Sequence, residues 1–383
     1  MRSSDVRLTA SWSCAAVVLA LTGCGPGSDA KGTGGTTASP ALATSAGLHG
    51  DEGERGAADA HEEGSLRARV ERGLAISPAE LDASHLSGRQ RTLVGLGSYI
   101  VNAASNCAAC HSSAAGFLAG GNPFALGQQG HRVWSRNLTP DPSTGLQLTR
   151  DEFRTAMRTG RDFQPGAAGM LVVMPWMYLR WASDLDLDAI YAYLRAIPPV
   201  SNAVPPDTKG GLSLPPSIPF PGAYTDGDLV RALRGDHRSF DPRRGLSISP
   251  LAQPADLHGE ALQAFGVGAY IANALTPCSL CHTNPERTPG GARIDTAAFL
   301  TGGTIFGVPP PRQLVLKQVR SMSANLKGAT HGFFYEPADS FQRFHDLIFA
   351  GAHVDESPPR PLGFPMILIA SYLKNLLDED LAA

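Results

Sequence analysis

The sequence predicts an all-α fold made of two tandem units, and three observations carry that prediction. One stretch occurs twice: Gly95-Leu96-Gly97-Ser98-Tyr99-Ile100 runs on to Cys107-Ala108-Ala109-Cys110-His111, and Gly266-Val267-Gly268-Ala269-Tyr270-Ile271 runs on to Cys278-Ser279-Leu280-Cys281-His282. The surroundings of this stretch repeat as well, at nearly the same offset. Arg72-Gly73-Leu74 is echoed by Arg244-Gly245-Leu246, Phe117 to Gly121 by Phe299 to Gly303, and Asn137-Leu138 by Asn325-Leu326. Between the copies, Val204-Pro205-Pro206, Leu214-Pro215-Pro216 and Ile218-Pro219-Phe220-Pro221 mark a semi-rigid connector. Each unit, of about 130 residues, has the length of a small helical domain.

The expected boundaries are a leader at 1–24, a disordered tether at 25–70, a first unit at 71–200, a Pro/Gly-rich linker at 201–242 and a second unit at 243–383. In the leader, Arg2 and Arg7 precede an apolar run from Ser11 to Leu21 that is too short to span a bilayer, as in an export signal. It closes on Leu21-Thr22-Gly23-Cys24, which resembles the lipobox of bacterial lipoproteins. That resemblance implies a lipidated Cys24 as the membrane anchor on the periplasmic side. Gly25 in place of Asp leans toward the outer membrane. The tether is Gly, Ala, Ser and Thr with scattered acids, too poor in apolar surface to fold, and its His49 and His61 read as solvated bystanders.

At 383 residues and 43% apolar composition, the chain can build two or three cores. Its net charge of −3 offers no basic face to phosphate, which sets nucleic acid aside as a partner. Forty-two Gly and thirty Pro point to long irregular connections between the helices. In the first unit, Thr149 followed by Glu152 is a capping box that opens a helix. A last helix is expected from about Leu185 to Ile197, with Ile190, Tyr193, Leu194 and Ile197 on one face and Pro198-Pro199 stopping it.

Cys-x-x-Cys-His is the attachment pattern for c-type haem. On a helix, positions i, i+3 and i+4 share a face. Cys107 and Cys110, and again Cys278 and Cys281, can therefore bond the two vinyl groups of one porphyrin. His111 and His282 then take the iron as proximal ligands. A zinc site of four thiolates has no need of a His after each second Cys, and a dithiol redox pair would not come twice behind the same helix. Two covalently bound haem c groups are the expected cofactors.

Ser135-Arg136-Asn137-Leu138-Thr139-Pro140-Asp141, Glu152-Phe153, Met174-Pro175-Trp176 and the run from Asp184 to Leu194 resemble the cytochrome c subunits of membrane-bound dehydrogenases of the alcohol and gluconate type. The likeness covers about residues 90–200, and 260–383 less fully. It implies two class I cytochrome c domains, each held by the crossing of its first and last helices. It also implies an electron carrier and not an enzyme, taking single electrons from a dehydrogenase or quinol oxidoreductase and passing them toward a terminal oxidase or other acceptor. Those subunits usually carry three haems, whereas this chain has two motifs.

The ligand opposite each histidine sets what the iron can do. The family's Met-Pro pattern implies Met174 for the first unit, with Met170 and Met177 as competitors. Gly160 to Met174 is 14 residues and Gly351 to Met366 is 15, which makes Met366 the expected ligand in the second unit. His353 and His331 are the alternatives there, and Met322 falls at the position of Trp134. Trp134, Arg136 and Arg320 suit haem propionates as N–H donors, and suit surface packing equally. At the C-terminus, Tyr372 to Ala383 aligns without gaps on Tyr178 to Ala189, keeping Asp-x-Asp-Leu in place; a competing alignment makes Leu368 to Leu376 the last helix. A dihaem peroxidase is the reading from another class. It needs an iron whose sixth position opens and an acid/base residue above it.

Overall fold

The computed structural model describes residues 52–126, 131–163, 169–208, 238–251, 253–276, 278–283, 299–302, 305–307, 320–322, 326, 340–350, 352–353, 360–362 and 366–383. Cys24, His49 and His331 lie outside the described residues. The described chain is mostly helical, with short two-stranded antiparallel pairings at its loops.

Helix α1 (Glu52–Ile76) packs on α2 (Gly88–Tyr99). Residues 52–70 of the stretch expected as a disordered tether at 25–70 are therefore helix. Scattered acids suggest a failure to fold there, but Glu, Ala and Arg are strong helix formers. The far half of α1 also carries Leu66, Val70 and Leu74 at a four-residue spacing that buries one stripe. The approach is close, since a Cβ on Gly73 would lie 1.9 Å from the Gly95 carbonyl oxygen.

From α2 the chain passes through a π-helical turn, Ile100–Ala104, into α3 (Cys107–His111). The hairpin β1 (Pro123–Leu126) with β2 (His131–Trp134) follows, then α4 (Arg150–Thr159), α5 (Trp176–Leu179) and α6 (Asp184–Ala196). The capping box is present on α4: the Thr149 hydroxyl accepts from Glu152 N, and Thr149 N donates to Glu152 Oε2 at 2.9 Å. On α6, Ile190, Tyr193, Leu194 and the following Ile197 are all buried, as the expected face requires. This helix crosses α2 at Gly97, where a Cβ would stand 1.9 Å from the Ala189 carbonyl oxygen.

The second half rebuilds the same frame. Helix α7 (Pro242–Ile248), capped by Asp241, packs on α8 (Gly259–Tyr270), which runs through a π-helical turn, Ile271–Leu275, into α9 (Cys278–His282). The pairs β3 (Ile305–Gly307) with β4 (Arg320–Met322) and β5 (Ala352–His353) with β6 (Arg360–Pro361) flank α10 (Ser340–Ala350). The chain ends in α11 (Met366–Leu373) and α12 (Asp378–Ala382). A Cβ on Gly268 would lie 2.2 Å from the Ala383 carbonyl oxygen, so α12 crosses α8 where α6 crosses α2. Packing thus follows the gapless alignment of Tyr372 to Ala383, and α11 rests instead on α10 and the π-turn of the first half.

The expected linker is not only a spacer. At its start, Asp207 accepts from Trp134 N at 3.0 Å and Thr208 bridges to Arg132. At its end, Phe240 is buried at 1% exposure, because its ring fills the space between Tyr99 and Tyr270. Residues 209–237 lie outside the described residues.

Candidate functional site: two Cys-x-x-Cys-His turns

Each motif occupies one helical turn at the end of a π-turn. Before α3, Asn106 takes a left-handed conformation (φ 46, ψ 47), which suits Asn better than most residues and redirects the chain into the motif. Asn122 Nδ2 then fixes the far end of α3, donating to the carbonyls of Cys110 (2.8 Å) and Ser112 (2.7 Å).

Three bonds of the loop behind the first motif recur among the described residues behind the second. Gly120 N donates to His111 O at 2.7 Å, and Gly302 N to His282 O at 2.6 Å. Leu118 N donates to the Ser112 hydroxyl and Leu300 N to the Thr283 hydroxyl, both at 3.0 Å. Leu138 N reaches Leu118 O, and Leu326 N reaches Leu300 O, both at 2.8 Å. Leu118 and Leu300 both sit at positive φ, 54 and 57, an unusual state for a branched side chain that each loop maintains with the same bonds.

His111 Nδ1 lies 2.8 Å from the Arg136 carbonyl oxygen. A carbonyl only accepts, so Nδ1 carries the proton and Nε2 keeps its lone pair. Burial lowers the His111 pKa against the pull of that carbonyl, which keeps the ring neutral at neutral pH and in the ligating form. No disulfide joins the four motif cysteines. Burial pushes Cys107 and Cys278 up to about 12 and Cys281 up to about 11, so these side chains stand as thiols. Among the described residues, no group of three His, Cys, Asp or Glu is gathered as a metal ion would need. At the first motif, two thiols on one turn followed by a neutral imidazole protonated at Nδ1 make a donor set that fits covalent haem; the second motif presents the same residues on the same turn.

Met174 is partly buried beside Trp176, Met177 and Tyr178, its carbonyl accepting from Trp176 N at 2.8 Å. Of its competitors, Met170 packs on the same cluster and Met177 is buried within it. Met366 opens α11 and is partly buried against the main core, while His353 lies on β5 opposite Arg360. Arg136 is engaged by Asp207 in an ion pair at 2.5 Å. Sequence reasoning missed Asn122 and the Arg136 carbonyl, which have no signature of their own. It also passed over Tyr372 on α11. Burial first, then Cys278, Cys281, Cys107 and Cys110, raise the pKa of its phenol, which places it within electrostatic reach of both motifs.

No family model matches the chain. Over 197 residues it is 30% identical to the gluconate 2-dehydrogenase cytochrome c subunit of Pantoea cypripedii, covering 50% of this chain and 38% of that protein. The alcohol dehydrogenase (quinone) cytochrome c subunit of Gluconobacter oxydans matches at 26% over 238 residues (60% and 42% covered). The fructose dehydrogenase cytochrome subunit of Gluconobacter japonicus matches at 27% over 203 residues (50% and 35%). The chain therefore spans less than half the length of each of these relatives. Among the described residues no helix is long and apolar enough to cross a membrane. Homologues of this chain are cytochrome c subunits of dehydrogenases, matched at low identity over about half its length.

Proposed function

We propose that this protein is a dihaem electron carrier built as two class I cytochrome c domains, at 71–200 and 243–383. The observation that carries the reading is the double occurrence of Cys-x-x-Cys-His on matching turns backed by matching loop bonds. Cys107 and Cys110 would hold one haem through thioether bonds with His111 as proximal ligand, and Cys278, Cys281 and His282 the other. Met174 and Met366 would supply the sixth ligands. When bound, the haem supplies a reversible one-electron couple; the protein sets its potential through ligand, burial and surrounding dipoles.

The chain's own contribution is orientation and exclusion of water. The Arg136 carbonyl fixes the His111 tautomer, Asn122 pins the end of its turn, and the α2–α6 crossing buries the wall behind it. The relatives' names support a dehydrogenase as the partner; a quinol oxidoreductase would be the other donor class, and a terminal acceptor would lie downstream. Lipidation at Cys24 would hold the carrier on the periplasmic side of a bacterial membrane.

Mass spectrometry and absorption spectra of the matured protein test this reading. Two added haems, both low-spin, with the weak long-wavelength sulfur-to-iron band of the ferric state, are the expected result; the bare chain mass would refute it. Met174→Ala is expected to remove part of that band and lower one of the two potentials, and an unchanged spectrum removes Met174 from the ligand set. A high-spin component with peroxide turnover would point to the peroxidase instead.

A further inference from the structure

Two tyrosines at equivalent positions of the repeat reach across from one half of the molecule to the other. Tyr99, at the end of α2, donates to Asp380 Oδ2 (2.5 Å) and accepts from Leu377 N (2.9 Å). Tyr270, at the end of α8, donates to Asp186 Oδ2 (2.5 Å) and accepts from Ser183 N (2.7 Å). Leu377 and Ser183 are the N-caps of α12 and α6, and each aspartate is the third residue of its helix. Each tyrosine therefore caps the last helix of the opposite half. A second exchange runs alongside: Arg72 Nε donates to the Asn375 carbonyl (3.0 Å), and Arg244 Nε to the Trp181 carbonyl.

Both tyrosines and Asp186 are fully buried, and Asp380 is 4% exposed. Buried hydroxyl–carboxylate pairs contribute little more to stability than apolar contacts of the same shape, but they accept only one mutual orientation. That orientation bears on the motifs, because α2 and α8 run directly through their π-turns into α3 and α9. The two π-turns meet, with Thr276 Oγ1, at the C-cap of the second, donating to Ala104 O (2.5 Å), while Asn375, just ahead of α12, donates from Nδ2 to Asn102 O in the first (3.1 Å). With the π-turns in contact, the two motifs they lead into are neighbours.

We propose that the Tyr99–Asp380 and Tyr270–Asp186 pairs form a reciprocal clasp that fixes the separation and orientation of the two Cys-x-x-Cys-His turns. These four side chains are positioning residues for one-electron exchange between the groups held at the two turns. The electron-exchange part rests on the function proposed above; the clasp itself is a property of the polypeptide. Tyr→Phe is the informative change at either site, since it keeps the ring that packs on Phe240 and removes one donor and one acceptor.

The experiment compares full-length matured wild type with Tyr99→Phe, Tyr270→Phe and the double variant. Haem content and spin state are expected to stay the same in all four. In the double variant, electron exchange between the two haems after injection of a single electron should slow by about tenfold or more, as ångström-scale misplacement does to oriented reactants. The Ser183 and Leu377 amides should exchange hydrogen faster, and the single thermal transition should split in two. An unchanged exchange rate between the haems overturns the proposal, whatever the unfolding does. If wild type carries no haem, the proposed function fails by itself. A single transition with unchanged amide exchange in the double variant then overturns the clasp. If the double variant does not accumulate, Tyr270→Phe alone is read by the same criteria.

Discussion

Asp380 and Asp186 occupy equivalent positions, each receives a tyrosine from the opposite half, and each is buried, yet the two carboxylates are stabilised by different means. Asp380 has a full countercharge: Arg69 Nε and Nη2 bind it as a fork at 2.8 and 2.5 Å, with the guanidinium stacked 4.4 Å over the Phe240 ring. Among the described residues, Asp186 is met by neutral donors: the hydroxyls of Ser239 and Tyr270 and the Phe240 amide at 3.3 Å, with the Ser183 hydroxyl also pulling its pKa down. Burial outweighs those bonds and holds its carboxyl above the usual range. One backbone position is thus served once by charge and once by dipoles. The difference comes from residues outside the repeated core, Arg69 from the expected tether and Ser239-Phe240 from the expected linker.

The comparison breaks most visibly at Asp380. Asp380→Asn would leave the charged Arg69 guanidinium buried without its countercharge, and urea unfolding should show a loss of about 3–5 kcal/mol. A loss no larger than that at Asp186 would mean the two carboxylates are equivalent after all. Next come the helix crossings. Gly97→Ala is expected to cost about 2–3 kcal/mol, because the new methyl meets the rigid Ala189 carbonyl within α6. Gly268→Ala should cost about 1 kcal/mol, since α12 meets α8 over one turn where α6 runs for 13 residues.

An effect as small as that at Gly268 is expected at Asp186. In Asp186→Asn, the amide can still accept from Tyr270, and the Ser239 hydroxyl can rotate to accept from it, so the loss should be about 1 kcal/mol. The pH dependence sharpens the contrast. The folded pKa is raised above the unfolded value near 3.8, so the folded state holds this proton where the unfolded state has released it. Its contribution is present below that value and is lost as pH rises through the folded pKa. Wild-type stability should carry this falling component upward from about pH 4, and Asp186→Asn should remove it; identical pH profiles would refute the raised pKa.

Much of the local frame was legible because it depends on neighbours in sequence. The Cys-x-x-Cys-His spacing, the Thr149 capping box and the Ile190–Tyr193–Leu194 face all concern residues within a turn or two of one another. The tether reads as unfolded because scattered acids say nothing of whether Leu66, Val70 and Leu74 will find a partner helix. Phe240 reads as part of a spacer because nothing in Ser239-Phe240-Asp241 announces that both halves close around it. Tyr99 and Tyr270 are visible as repeated residues, but their hydroxyls give no sign of pointing away from their own half.

By itself, the sequence determined the duplication and the two attachment turns with their helical geometry. These follow from residue types at short, fixed spacings. Only the tertiary structure decided that Tyr99 bonds a carboxylate 281 residues away and that Tyr270 answers it in reverse. A hydroxyl's partner is whichever acceptor packing brings within hydrogen-bond distance, and that depends on how two helix frames close on each other.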